Sequence, residues 1–211
     1  MTPLAPSPRA VDRSYTDPAS LIWLRAARRL GIERVQRSAE VFAAYDGAGT
    51  LTLAADEHLD ADDCLAQLLF HELCHALVEA PRGLHLADWG LDNIGDADLP
   101  REWASLRVQA ALAEAHGLRE VLAPTTDHRA YYDALPRDPL APLHAGHGGD
   151  RDAIAAATTA LQRAKKEPWC SALGEALVAT ANVAAAVAAL APEGSLWRLY
   201  RQPASGSSSS S

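Results

Sequence analysis

The chain has little from which to build a sheet-rich or cross-linked protein. Only 6% of its 211 residues are aromatic, two of them phenylalanine. A composition led by alanine and leucine instead favours helices, which excludes an all-β architecture as the first expectation. Three cysteines, Cys64, Cys74 and Cys170, are an odd number at spacings that match no secreted disulfide framework or Cys-rich zinc module, so free thiols in a reducing compartment are expected. Positive charge is also short: the formal net charge is −8 and the isoelectric point near 5.4. That balance excludes a general affinity for nucleic acid or acidic membranes, both of which need a positive field. The basic runs at Arg25, Arg28 and Arg29 and at Arg163, Lys165 and Lys166 read as solvated helix faces. Residues 1–18 lack the apolar core of a signal peptide, and the nearest approach to a membrane span, Ala176 to Ala191, is rich in small residues and weakly hydrophobic. A cytoplasmic protein is expected.

The length suits one domain with a real core. The expected division is a disordered stretch over 1–17, one domain over 18–203 and a flexible Ser-rich tail over 204–211. Asp17-Pro18 opens a helix stopped by Gly31, with Asp as N-cap and Pro at the first helical position. Val41 to Tyr45 and Thr50 to Ala54 are β-prone runs joined by Asp46-Gly47-Ala48-Gly49, a hairpin signal and the clearest sheet signal in the chain. From Asp60 to about Glu79 the apolar residues fall at helical spacing, with Asp60 placed to cap the helix and Pro81 to end it. Residues 82–99 read as an ordered loop. A helix capped by Asp98 runs from Pro100 to His116, residues 123–150 form a long irregular excursion, and two helices follow, Asp150 to Lys166 and Trp169 to Leu190.

Chemistry concentrates in His71-Glu72-Leu73-Cys74-His75. Residues four apart on a helix share a face, so both imidazoles can aim at one point, and two nitrogens at about 2.0–2.1 Å are half of a tetrahedral zinc site. Glu72 lies beside that point, where a carboxylate can take a proton from water on the metal. Cys74 points away from the line joining the histidines and reads as a small buried residue. A catalytic zinc keeps three protein ligands, so one more is needed. Hydrolysis of a carbonyl substrate at such a metal would also need a donor for the developing oxyanion; Tyr132 and His128 are the candidates, with Tyr131 beside them and His144 and His147 further on.

Through Leu68-Leu69-Phe70-His71-Glu72-Leu73-Cys74-His75-Ala76-Leu77 the chain resembles the zincin superfamily of metallopeptidases, over about residues 40–116. The resemblance implies an α+β, mostly helical fold in which a small β-hairpin or sheet packs beside the motif helix and further helices follow. It implies one Zn2+ per chain held by His71 and His75, Glu72 as general base, and a peptide or protein substrate lying along an edge strand. The branch with His-Glu-x-x-His-x-x-Gly-x-x-His does not fit, because Val78 and Pro81 occupy the positions due for Gly and His. The gluzincin branch takes its third ligand from a Glu on a following helix, which makes Glu102 the favoured ligand. Asp88 is the rival by likeness to aspzincins, with Asp92 and His85 behind it. If Glu102 binds, Asp88, Asp92 or Asp96 could orient a ligand histidine. Thermolysin-like enzymes carry an Asp four residues beyond the ligand Glu for that purpose, and here Leu106 stands there, so the short gluzincins are the nearer likeness. Two other readings stay open: a regulatory or binding module that keeps the fold and metal without turnover, and a helical structural protein whose histidines bind nothing.

Overall fold

The computed structural model describes residues 13–92, 96–125, 128–143 and 149–203. Among these residues six α-helices and a three-stranded sheet make a mixed α+β, mostly helical architecture. The expected disorder over 1–17 falls largely on residues outside the described ones, as does the whole tail over 204–211; residues 13–17 are irregular.

Helix α1 (Pro18–Arg29) begins as its sequence dictates: the Asp17 carboxylate accepts the Ser20 backbone N–H at 3.0 Å, with Pro18 in the first turn. The hairpin also forms, as β2 (Ala43–Tyr45) and β3 (Thr50–Ala54) in antiparallel register. Asp46 fixes its turn by accepting the N–H groups of Ala48 and Thr50. A third strand was not expected: β1 (Arg34–Ser38) pairs parallel to β3 on its other side, giving the order β1-β3-β2. Its sequence, Arg-Val-Gln-Arg-Ser, has no fully buried residue and hence no apolar alternation to betray it.

Helix α2 (Leu65–Glu79) starts five residues later than the apolar spacing predicts. Asp60 to Asp63 instead close a turn of their own, in which Asp63 N–H donates to the Asp60 carbonyl and Asp60 N–H to the Asp63 carboxylate. Every residue from Ala66 to Leu77 is buried, so α2 is the central helix of the molecule. It packs against α1, against α3 (Leu99–Glu114) and against α5 (Asp150–Ala164). Trp23 meets Phe70 at 4.5 Å between ring centroids, and full burial of a side chain such as Phe70 contributes roughly 1.5–3 kcal/mol. The core runs without a break from Ala19 of α1 to Ala184 of α6 (Trp169–Val187).

Helix α6 corrects the reading of that segment as too weakly hydrophobic. Over its most apolar window the mean hydropathy is 1.5, long and apolar enough by length and composition to cross a membrane, with 33% of the window buried. Its inner face packs on α1, where the Trp23 indole donates to Thr180.

The irregular excursion is tied down from within. Short α4 (Arg129–Ala134) lies inside it, and the fully buried Arg107 of α3 donates to the Tyr131 hydroxyl, the Asp150 carboxylate and the carbonyls of Pro139 and Ala141. One guanidinium thus satisfies two backbone carbonyls of a segment with no ladder of its own, and Arg119 holds those of Leu135 and Pro136.

Candidate metal centre

Helix α2 brings His71 and His75 to one face, one turn apart, and the first turn of α3 brings Glu102 against them. The two Nε2 atoms are 3.1 Å apart. Glu102 reaches both, with Oε2 3.0 Å from His75 Nε2 and Oε1 3.5 Å from His71 Nε2. All three groups offer ligand atoms within 4.8 Å of one another. Glu102 Oε1 is buried and makes no hydrogen bond. A buried carboxylate oxygen without a donor is costly, so a positive charge belongs at this point, either a proton or a metal ion.

The far sides of both imidazoles are also fixed by α3. His71 Nδ1 meets Gln109 Oε1 at 2.9 Å, and Gln109 Nε2 donates to the Leu122 carbonyl at 2.8 Å. That carbonyl can only accept, so the Gln109 amide must turn its oxygen to His71, and His71 must carry its proton on Nδ1. His71 Nε2 is therefore a bare lone pair aimed at Glu102. Ser105 Oγ lies 3.1 Å from His75 Nδ1 and 3.3 Å from the Arg101 carbonyl, which turns the second ring in the same way. Glu102, Ser105 and Gln109 sit at i, i+3 and i+7, so one stripe of α3 supplies a candidate ligand and both orienting groups.

The electrostatics follow from burial. Desolvation lowers the His71 pKa and outweighs the pull of Glu102. Desolvation acts in the same sense on His75, but there the adjoining Glu102 carboxylate prevails and the pKa rises. For Glu102, burial pushes up and the two histidines pull down more strongly, to about 2. Without a metal, a proton is held more readily on His75 than on His71.

Glu72 stands beside this cluster, and the Trp89 indole donates to its Oε2 at 3.0 Å. The indole is held in turn by stacking on Tyr45, with ring centroids 3.8 Å apart. Asp88, Trp89 and Gly90 all take positive φ, at 47°, 60° and 80°. Such a run is unfavourable for Asp and Trp, and the Asp88 carboxylate offsets it by accepting the Tyr45 N–H at 2.9 Å. The cluster and Glu72 open to a cleft of about 510 Å3, also lined by Phe42, Ala43, Asp88, Trp89 and His128.

Of the proposed site residues, His71, Glu72, His75, Glu102 and His128 are brought together. Tyr132 is not: its ring is 1% exposed, its hydroxyl donates to the Arg119 carbonyl at 2.8 Å, and it faces the other side of α3. It is withdrawn as an oxyanion donor. Tyr131 is committed to Arg107 and Asp150. Asp88 lines the cleft but stands outside the His71–His75–Glu102 cluster, and His85 is exposed. Neither Asp88 nor Asp92 holds the far side of His71 or His75, since Gln109 and Ser105 do so. His144, His147 and the Asp96 side chain lie outside the described residues. Cys74 is fully buried, as expected, and desolvation drives its thiol pKa well up. Trp89, Ser105 and Gln109 were missed; the last two were legible as polar residues three and seven positions after Glu102 in a helix otherwise buried along that stripe.

No protein-family model, curated protein or solved structure matches the chain. What defines its class is therefore internal: a mostly helical α+β protein with two histidines and one carboxylate converging in its core.

Proposed function

We propose that the protein is a zinc-dependent hydrolase of the zincin type, nearest the short gluzincins, and that it cleaves peptide bonds. The observation that carries this is the convergence of His71, His75 and Glu102, with one carboxylate oxygen buried and unpartnered, beside a separate carboxylate, Glu72. The order of elements supports it: hairpin, then the helix of His71 and His75, then a helix with a Glu in its first turn. A zinc ion held there supplies a Lewis acid for the substrate carbonyl and acidifies water.

The chain's own residues do the rest. Gln109 and Ser105 keep the two Nε2 lone pairs facing inward. Trp89 holds Glu72 Oε2, leaving Oε1 to take a proton from the attacking water and return it to the leaving amine. His128, on the cleft wall, is the remaining candidate donor for the oxyanion. A net charge of −8 argues against nucleic acid and acidic membrane surfaces as partners, and three free cysteines support a cytoplasmic role on a peptide or protein substrate.

The test is metal content by plasma mass spectrometry on untagged protein, with His71→Ala and Glu102→Ala beside it, followed by turnover on a peptide library. One zinc per chain, lost in both variants, is expected. Glu72→Gln keeps the zinc and loses turnover by about two to four orders of magnitude. Absence of zinc in the wild type overturns the proposal, and zinc without turnover on any peptide converts it to a binding module.

A further inference from the structure

Strand β2 is one of the two edge strands of the sheet among the described residues, and its Ala43, with Phe42 just before it, lines the cleft. In an antiparallel pair, successive residues turn their backbone groups alternately toward and away from the partner. Ala54 N–H donates to the Phe42 carbonyl and Asp46 N–H to the Thr50 carbonyl, which sets the phase. Ala44 therefore faces β3, while Ala43 and Tyr45 present their N–H and C=O groups to the open edge.

Tyr45 is already taken. Its N–H donates to Asp88 Oδ1, its hydroxyl to the Leu84 carbonyl at 3.1 Å, and its ring lies under Trp89. Just beyond, a Cβ on Gly47 would stand 2.9 Å from the Leu86 carbonyl carbon and 3.1 Å from the His85 oxygen. Residues 84–90 thus cover the strand from Tyr45 to Gly47 and close the edge at that end. Trp89 also bonds Glu72, so the closed end lies directly beside the base. An extended chain entering the cleft has one ladder position, Ala43, and leaves past Phe42, which is 45% exposed.

We infer that the site takes the free amino end of a peptide, with the α-ammonium at Asp88 and the first peptide bond at the His71–His75–Glu102 cluster. This rests on the peptidase reading and narrows it to removal of amino-terminal residues. The blocked edge admits an end of a chain and excludes its middle. Charge then selects which end: Glu72, Asp88 and Glu102 line the cleft, and no Lys or Arg does among the described residues, so a terminal carboxylate is repelled and an ammonium attracted. Asp88 gives Oδ1 to the Tyr45 N–H, and its second oxygen is the one that would meet the ammonium. Hydrolysis there consumes one water, breaks the first C–N bond and releases one amino acid, the peptide behind it gaining the new amino end.

The experiment is isothermal titration at about pH 7 of zinc-loaded Glu72→Gln protein, which binds without turnover, with leucyl-alanyl-alanine amide and its N-acetyl form. The free amine is expected to bind at least about tenfold more tightly. Asp88→Asn keeps the acceptor for Tyr45 N–H and tolerates the positive φ, so it is expected to retain zinc and fold while the preference falls below about threefold. A protein that takes up zinc but binds both peptides equally, prefers the acetylated one or binds neither overturns the inference and leaves the peptidase reading standing. So does Asp88→Asn with its preference intact. Failure to take up zinc removes the peptidase reading itself.

Discussion

Replacing Gln109 by Met removes the group that fixes the His71 tautomer while keeping the length and volume of the side chain. Two buried hydrogen bonds go with it, 2.9 Å to His71 Nδ1 and 2.8 Å to the Leu122 carbonyl, and Gln109 is fully buried, so water cannot replace it. Each orphaned partner costs roughly 1–3 kcal/mol, which lowers the stability of the zinc-free protein by about 2–6 kcal/mol. If the site binds zinc as proposed, its zinc affinity falls separately, because His71 is no longer obliged to present a bare Nε2. Loss of such an orienting partner weakens metal binding by about 10–100-fold, or about 1.4–2.8 kcal/mol. Gln109→Glu separates the two effects: it keeps an acceptor for His71 Nδ1–H but no longer donates to Leu122, so it loses stability and retains zinc. The assays are urea unfolding of the zinc-free proteins and competition for zinc against a chromophoric chelator. If folded Gln109→Met binds zinc within about threefold of the wild type, the tautomer reasoning is refuted.

Two further outcomes follow from buried charge. Arg107→Leu removes the charged partner of the buried Asp150 carboxylate, which keeps the Tyr131 hydroxyl and the Leu143 N–H, and leaves the carbonyls of Pro139 and Ala141 without this donor; it is expected to lose about 3–5 kcal/mol, and hydrogen exchange should quicken over residues 129–143. Unchanged exchange there would show that Arg107 does not hold the segment. The second outcome concerns pH in the zinc-free protein. Glu102 is lowered from 4.5 to about 2, so its contribution is complete above pH 4.5 and is lost as pH falls toward 2. His75 is raised above 6.5, so its contribution is complete below pH 6.5 and is lost as pH rises through the higher folded value. Stability from this pair therefore peaks between pH 4.5 and 6.5. On the zinc reading the metal displaces the His75 proton, and calorimetry at pH 6.5 in buffers of different ionisation enthalpy is expected to show proton release on zinc binding.

Much of this was legible along the chain because it depends on near neighbours. Asp17-Pro18 opens α1, Asp46 to Gly49 turns the hairpin, and the spacing of His71 and His75 sets both rings on one face of a helix; each is a local rule acting within about one helical turn. Strand β1 was hidden because its pairing with β3 is made by backbone groups and its side chains carry no pattern. The start of α2 was misplaced because the aspartates that suit a helix cap also suit the turn they form. The sequence alone, then, determined the helical bias, the hairpin and the paired histidines. Only the tertiary structure decided that Glu102 rather than Asp88 joins them, that Gln109 and Ser105 set their tautomers, that Trp89 holds Glu72, and that Tyr132 faces elsewhere. Those choices join residues 17 to 38 positions apart or depend on which face of α3 meets α2, and the packing of two helices, not the order of residues within either, fixes them.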